Sequence, residues 1–200
     1  MIMKSSISTQ IYANKSRSFD WAEGKGLKIY NLGCGNQRYP GVVGMDSLSS
    51  KAADVVWDLN VFPWPIESKS VDIVLGFQVF EHLDNLMLVM EEIHRILKPG
   101  GKVIVEVPYF RHVGAFQDPT HKHFFTATTM LYFCKTKKRG PVYTDFNFVQ
   151  KHFYYGWPSS SSWFVRLFKK FISKYQKYYD LYLSYIIPVP IVVYELEACE

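Results

Sequence analysis

Gly33-Cys34-Gly35 closes a short apolar run, Lys28–Leu32. Two glycines one residue apart let a backbone approach a ligand closely, because neither carries a Cβ and both tolerate unusual dihedrals. A helix opening directly after the loop would offer free N–H groups to the same ligand. Asp46 ends a second apolar run, Val42–Met45, where a carboxylate can accept both ribose hydroxyls of a nucleoside. Asp58 ends a third, Asp54–Trp57, placed to receive an adenine amino group. Either acid alone could equally cap the turn after it. Three such positions at successive strand ends favour a nucleoside site.

A second group of reactive side chains lies further on. Glu81-His82 comes after a fourth apolar run, and the loop Tyr109–Phe125 contains Arg111, His112, Asp118, His121 and His123. Histidine titrates near neutral pH, so His121, His123 or His112 can take a proton from an acceptor hydroxyl, with Asp118 orienting one of them. His82 has a second reading, in which it packs and hydrogen-bonds beneath the pocket. Asp118-x-x-His121-x-His123 also has metal-site spacing, since imidazoles two residues apart on an extended strand face the same way. No further Cys or Glu cluster adjoins them in sequence, so no metal is expected. The plainer alternative is a loop in which Asp118-Pro119 starts a turn and the histidines bond to backbone.

These residues need elements to position them. From Leu27 to Tyr109 short apolar runs alternate with turn or helical patterns, the signature of βαβ units and a parallel sheet. Val71–Leu75 is the fourth strand. Leu83, Leu86, Met90, Ile93 and Leu97 recur at spacings of three and four, which predicts a helix. Lys98-Pro99-Gly100-Gly101 stops it, and Val103–Val107 is the fifth strand. Beyond the loop, Thr126 is a candidate cap for a short helix containing Met130, Leu131 and Phe133. Thr144–Tyr154 and Ile191–Leu196 read as strands. Between them, Ser159–Ser162 is a polar linker. Trp163, Phe164, Leu167, Phe168, Phe171, Ile172 and Tyr175 then share one helical face, with Lys169, Lys170, Lys174 and Lys177 largely off it.

Composition bounds the answer. Two hundred residues make one domain with a sizeable core. Apolar residues at 48% against 20% charged exclude a disordered chain. Charge is uneven: positions 135–180 hold ten basic and two acidic side chains, the remainder thirteen basic and sixteen acidic. That asymmetry suggests an anionic partner or a solvated basic face. The helix near 163–179 accordingly has two readings: it faces the core with wet lysines outside, or it lies on an anionic membrane or receives a lipid-linked substrate. No recognised RNA-binding module accompanies the charge, so nucleic acid is not an expected partner. Cys34, Cys134 and Cys199 form no disulfide framework or zinc spacing, which suggests a reducing cytoplasm. Residues 1–26 lack the apolar core of a signal peptide, and the apolar stretch near 183–194 is too short to span a bilayer.

Asn31-Leu32-Gly33-Cys34-Gly35, Gly44-Met45-Asp46 and Trp57-Asp58-Leu59 resemble successive cofactor-contacting motifs of class I S-adenosylmethionine (SAM)-dependent methyltransferases. Phe77-Gln78-Val79-Phe80-Glu81-His82-Leu83 and His94-Arg95-Ile96-Leu97-Lys98-Pro99-Gly100-Gly101 are similar to later signatures of the methyltransferase type 11 group. The resemblance covers residues 27–109 in good register and 110–130 more loosely. It implies an α/β Rossmann-like class I methyltransferase fold: a mostly parallel seven-stranded sheet with helices on both faces. It implies one SAM-binding domain over 27–200, with 108–185 carrying a substrate-side elaboration and 1–26 an extension able to fold over the cofactor. Gly33, Cys34 and Gly35 would line methionine and ribose, and Asp46, with Ser47 beside it, would hold the ribose. Asp58 and Leu59 would flank adenine, and Phe77 and Gln78 would close over the cofactor. Glu81, His82, Tyr109, Arg111 and His112 are the acceptor-side candidates; His121, His123 and Asp118 are the catalytic ones. The implied acceptor is a small molecule, such as a sugar hydroxyl or glycan precursor. Many relatives have an acid where Asn31 stands, and that acid helps hold the cofactor's amino group; Asn brings no charge. A dinucleotide would need a GxGxxG cradle, but Arg38 occupies the third position. The rival from another class is a non-catalytic SAM-binding or interaction protein that kept the fold.

Overall fold

The computed structural model describes residues 26–135, 143–156 and 163–200. The Ser159–Ser162 linker and almost all of the extension at 1–26 lie outside these residues.

Seven strands form one sheet: β1 (Ile29–Leu32), β2 (Val42–Asp46), β3 (Val55–Val56), β4 (Val71–Phe77), β5 (Leu97–Pro108), β6 (Phe148–Tyr155) and β7 (Ile191–Ala198). Their order is β3-β2-β1-β4-β5-β7-β6. The first five pair in parallel, while β7 runs antiparallel to both β5 and β6. This is the class I methyltransferase topology. All four residues of β1 are buried, as expected of a strand flanked on both edges and covered on both faces. Alternate side chains supply two cores. Leu32, Val74, Val103 and Val105 face one cluster, and Ile29, Ile73, Leu75 and Ile104 face the other.

The register matters most for function. Leu32 pairs with Met45 on β2 and Gly76 on β4, and Phe77 pairs with Glu106 on β5. The carboxyl ends of these strands therefore share one rim. Asp54 fixes the spacing at β2: it accepts from Gly44 N at 2.9 Å and from Arg38 Nη1 at 2.5 Å. Both bonds hold its carboxyl below the usual carboxylate range.

Helix α1 (Leu86–Ile96) begins later than the apolar spacing predicts. The Asn85 side chain accepts from Met87 N and Leu88 N and caps it. Leu83 instead comes after a 3-10 turn, Phe80–His82. Val89, Met90, Ile93 and Ile96 form the buried stripe. Buried Glu92 is neutralised by Arg95, whose Nη2 and Nε bond its two oxygens at 2.6 and 2.8 Å, and Glu92 also accepts from Trp64 N. The Lys98-Pro99-Gly100-Gly101 segment is an irregularity inside β5: Val71 pairs with Leu97, and Ile73 with Lys102.

Two further expectations differ. No helix opens after Gly35; the chain turns through 36–41 straight into β2. Only six residues are available, and Pro40 disfavours helical geometry before it. Helix α2 (Trp163–Lys174) does not bury its apolar face among the described residues. Ile172 is buried and Phe168 half-buried, but Trp163, Phe164, Leu167 and Phe171 are all more than half exposed. Helix α3 (Gln176–Leu181) is better anchored, because Tyr109 and Tyr155 hydroxyls both donate to Asp180 Oδ1, at 2.7 and 2.6 Å. No helix among the described residues is long and apolar enough to cross a membrane.

A Cβ on Gly44 would lie 2.0 Å from the Ala52 carbonyl oxygen, a backbone atom that cannot rotate away. Gly44→Ala is therefore expected to destabilise the fold by about 1–3 kcal/mol, the overpacking scale. Urea unfolding measures it, and an unchanged midpoint would contradict the close β2 packing.

Candidate functional site

The rim carries two adjoining regions. The first is a cavity of about 380 Å³ lined by Asn31, Gly33, Cys34, Gly35, Asn36, Gln37, Phe77, Gln78 and Glu106. Gly33 adopts φ +61°, and a Cβ there would strike Val79 Cγ2 at 2.4 Å, so this position requires glycine. Gly35, at φ +53°, faces open space. Its N–H donates to Asp46 Oδ2 at 2.8 Å, while Asp46 Oδ1 accepts from Leu48 N at 3.0 Å. Asp46 thus ties the end of β2 to the glycine loop. The Cys34 thiol pKa is raised, chiefly by burial and then by Asp46.

Two buried polar side chains enter the cavity wall. Asn31 is 4% exposed and Glu106 5% exposed. Gln78 Nε2 donates to Glu106 Oε1 at 3.1 Å, and Gln78 N to the Glu106 carbonyl at 2.8 Å. A volume of this size suits a small polar ligand. A buried carboxylate beside a buried amide and a glycine loop fits the ammonium group of SAM.

The second region lies beside it. Glu81 is 1% exposed, and neither carboxylate oxygen has a hydrogen-bond partner among the described residues. Burial pushes its pKa up to about 7, with nearby Glu106 and Asp118 adding to the rise. Its carbonyl accepts from Lys122 N at 2.7 Å and His123 N at 3.2 Å, which clamps the histidine loop against it. His82 and His121 meet edge to face with ring centroids 4.7 Å apart. Ligating atoms of Glu81, His82 and His121 all lie within 4.8 Å of one another. Burial, then His121, lowers the His82 pKa.

The structure brings together Gly33, Cys34, Gly35, Phe77 and Gln78 of the sequence-predicted cofactor set, with Asp46 joined through Gly35. Ser47 is exposed next to Asp46. Asp58 accepts from Asn60 N and Nδ2, and Leu59 is buried in the core with its carbonyl bonded to Trp64 Nε1. Of the acceptor-side candidates, Glu81 and His82 adjoin. Tyr109 is fully buried with its hydroxyl on Asp180, and His112 caps a 3-10 turn by accepting from Gly114 N. Arg111 stacks its guanidinium 3.5 Å from the Tyr185 ring centroid. Of the catalytic candidates, only His121 joins the cluster. His123 Nε2 bonds the Leu83 carbonyl at 2.8 Å, so the two imidazoles do not converge. Asp118 bonds Thr120, which lowers its pKa. Glu106 escaped sequence reasoning because it lies inside the apolar strand Val103–Val107; an acid in a buried strand was its one signal.

Comparison with known proteins agrees with the fold. Residues 45–105 match a family model described as a methyltransferase domain. Over that stretch the chain is similar to methyltransferase type 11 domains. A probable S-adenosylmethionine-dependent methyltransferase of Mycolicibacterium smegmatis is 41% identical over 49 residues, 24% of this chain and 19% of that protein. The chain thus spans about a fifth of that curated relative's length. Two solved structures share the fold: a SAM-dependent methyltransferase of Mesorhizobium loti (TM-score 0.52, 15% identity, 86% of this chain and 90% of that one) and one of Archaeoglobus fulgidus (TM-score 0.50, 17% identity, 94% and 98%). S-adenosylmethionine is the cofactor named for that relative and for both of these structures.

The unpartnered Glu81 carboxylate has a thermodynamic consequence. With a folded-state pKa of about 7 against an ordinary 4.5, the folded chain keeps a proton that the unfolded chain has lost between those values. Stability therefore falls as pH rises from about 4.5 to 7, by roughly 3 kcal/mol in total. Glu81→Gln should remove this loss, so the variant should gain on the wild type across that window. Urea unfolding in chelator-containing buffer at both ends of the window measures it; a pH-independent difference would overturn the assignment.

Proposed function

We propose that this domain transfers the methyl group of SAM to a small-molecule acceptor presented at the rim beside Glu81, His82 and His121. The observation carrying this reading is a glycine-loop cavity holding a buried carboxylate, Glu106, next to that reactive cluster. When bound, SAM supplies an electrophilic methyl on sulfonium. Gly33 and Gly35 let the backbone come close without side chains in the way. Asp46 holds Gly35 N and so sets the loop, with lone pairs left to accept from the ribose, and Ser47 lies beside it. Asp58 and Leu59 take the adenine side. Glu106 supplies the charge that Asn31 lacks and balances the cofactor's amino group, in an orientation fixed by Gln78. On the acceptor side, a sugar hydroxyl or glycan precursor fits groups able to hold or take a proton. Positioning of the acceptor oxygen supplies much of the rate, and the Glu81–His82–His121 cluster receives its proton.

The domain comprises 27–200, with 108–185 on the acceptor side. Its α2 surface supports a second element of this reading. Exposed Trp163, Phe164, Leu167 and Phe171, with exposed Lys170, Lys174 and Lys177, form an interfacial pattern, and an anionic membrane or a lipid-linked acceptor is the occupant it suits.

Calorimetric titration with SAM tests the cofactor assignment. Asp46→Ala and Glu106→Gln should each weaken binding by about 1–3 kcal/mol, the scale of a charge-assisted hydrogen bond, while His121→Ala leaves it nearly intact. Unchanged affinity in both acid variants would place the cofactor elsewhere.

Vesicle binding tests the surface. Co-sedimentation should rise with anionic lipid and fall with added salt. Replacing Lys169, Lys170 and Lys174 with Gln should abolish it, and absent or salt-independent binding would discard the membrane reading.

A further inference from the structure

The Glu81–His82–His121 cluster has the features of a metal site, although His121 lies far from the other two in sequence. Sequence spacing points to Asp118, His121 and His123 instead, and the structure separates those. Glu81 is the acid that sequence spacing lacks. Its carboxylate is buried, has no partner among the described residues, and lies with the two imidazoles inside 4.8 Å. An ion about 2.0–2.2 Å from each ligand needs them somewhat closer.

The outer hydrogen bonds fix which ring nitrogens are available. His121 Nδ1 lies 3.0 Å from the Ala115 carbonyl, which can only accept, so Nδ1 carries the proton and Nε2 keeps its lone pair. At His82 the relay is longer. Thr120 Oγ1 donates to Asp118 Oδ1 at 2.7 Å, so it accepts from His82 Nδ1 at 2.8 Å. His82 Nε2 is then also unprotonated. A carboxylate or carbonyl behind each imidazole is the usual support of metal-bound histidine. Both rings are partly exposed, which gives an ion and further ligands a way in.

We propose that Glu81, His82 Nε2 and His121 Nε2 bind one first-row divalent cation of the zinc class, leaving open positions toward the acceptor. Two imidazoles and one carboxylate suit zinc, iron, cobalt or nickel better than magnesium or calcium. With the ion bound, these three groups hold it in place of receiving a proton, and its use by an acceptor hydroxyl rests on the methyltransferase reading above; the binding itself does not.

The test uses the full chain stripped with chelator, then titrated with zinc by calorimetry and with cobalt by its visible absorption. One ion per chain is expected. His82→Ala, His121→Ala and Glu81→Gln should each weaken it at least 100-fold, and Thr120→Val about 10-fold, the usual outer-ligand effect. Exposed His152 on β6 is the control, and His152→Ala should change nothing. SAM titration of the full chain runs alongside, circular dichroism of the variants checks folding, and Thr120→Val alters a surface hydroxyl if a core variant fails to fold. No stoichiometric binding, or binding that survives loss of His121 and Glu81, overturns the site. Metal binding without SAM binding would retain this site and overturn the proposed function.

Discussion

Parallel pairing of β1 between β2 and β4 is the constraint on which the rest depends. Each ladder aligns strand ends in the same direction, so the loops leaving these strands emerge at one rim. The glycine loop after β1, Asp46 at the end of β2, and Gln78 and Glu81 after β4 meet there because of it. A one-residue slip of β4 would exchange the side chains it sends into the two cores. It would also separate Phe77 from Glu106, whose carboxylate the Gln78 amide holds.

Burial at the rim has opposite uses at its two carboxylates. Glu106 is held by Gln78 and stands in the cavity wall. Glu81 is equally dry and has no such bond among the described residues, so its proton affinity rises toward neutrality. A buried polar group without a partner is costly, and folds retain few of them. The loop clamped onto the Glu81 carbonyl brings His121 to the same point, which concentrates three proton- or metal-binding groups in one place.

The carboxyl-terminal part obeys a different physics. Asp180 collects two tyrosine hydroxyls and fixes α3 against the end of the sheet. Helix α2 receives little such help. Its aromatic side chains stay exposed beside lysines, so its stripe of apolar residues, which by spacing alone suits a core, covers little of the described sheet.

Resemblance to class I methyltransferases added the seven-strand count and SAM; the amino-acid sequence by itself pointed to the parallel sheet, a nucleoside site and the glycine loop. Those depend on local signals: apolar runs of strand length, Gly33-x-Gly35, and acids at run ends. It also held the α1 stripe, though the true start depended on the side-chain cap at Asn85. Tertiary structure decided the remainder. Glu106 looked like one polar residue in an apolar strand until β4 pairing set it beside Gln78. His121 and His123 looked equivalent at two-residue spacing, yet one bonds Ala115 and faces Glu81, while the other bonds Leu83. Spacing along a chain reports direction only within a regular element. Where the backbone turns, as it does from 109 to 125, bonds to the loop's own backbone at Ala115 and to the distant turn around Glu81 and Leu83 choose the direction, and no regular spacing encodes that choice.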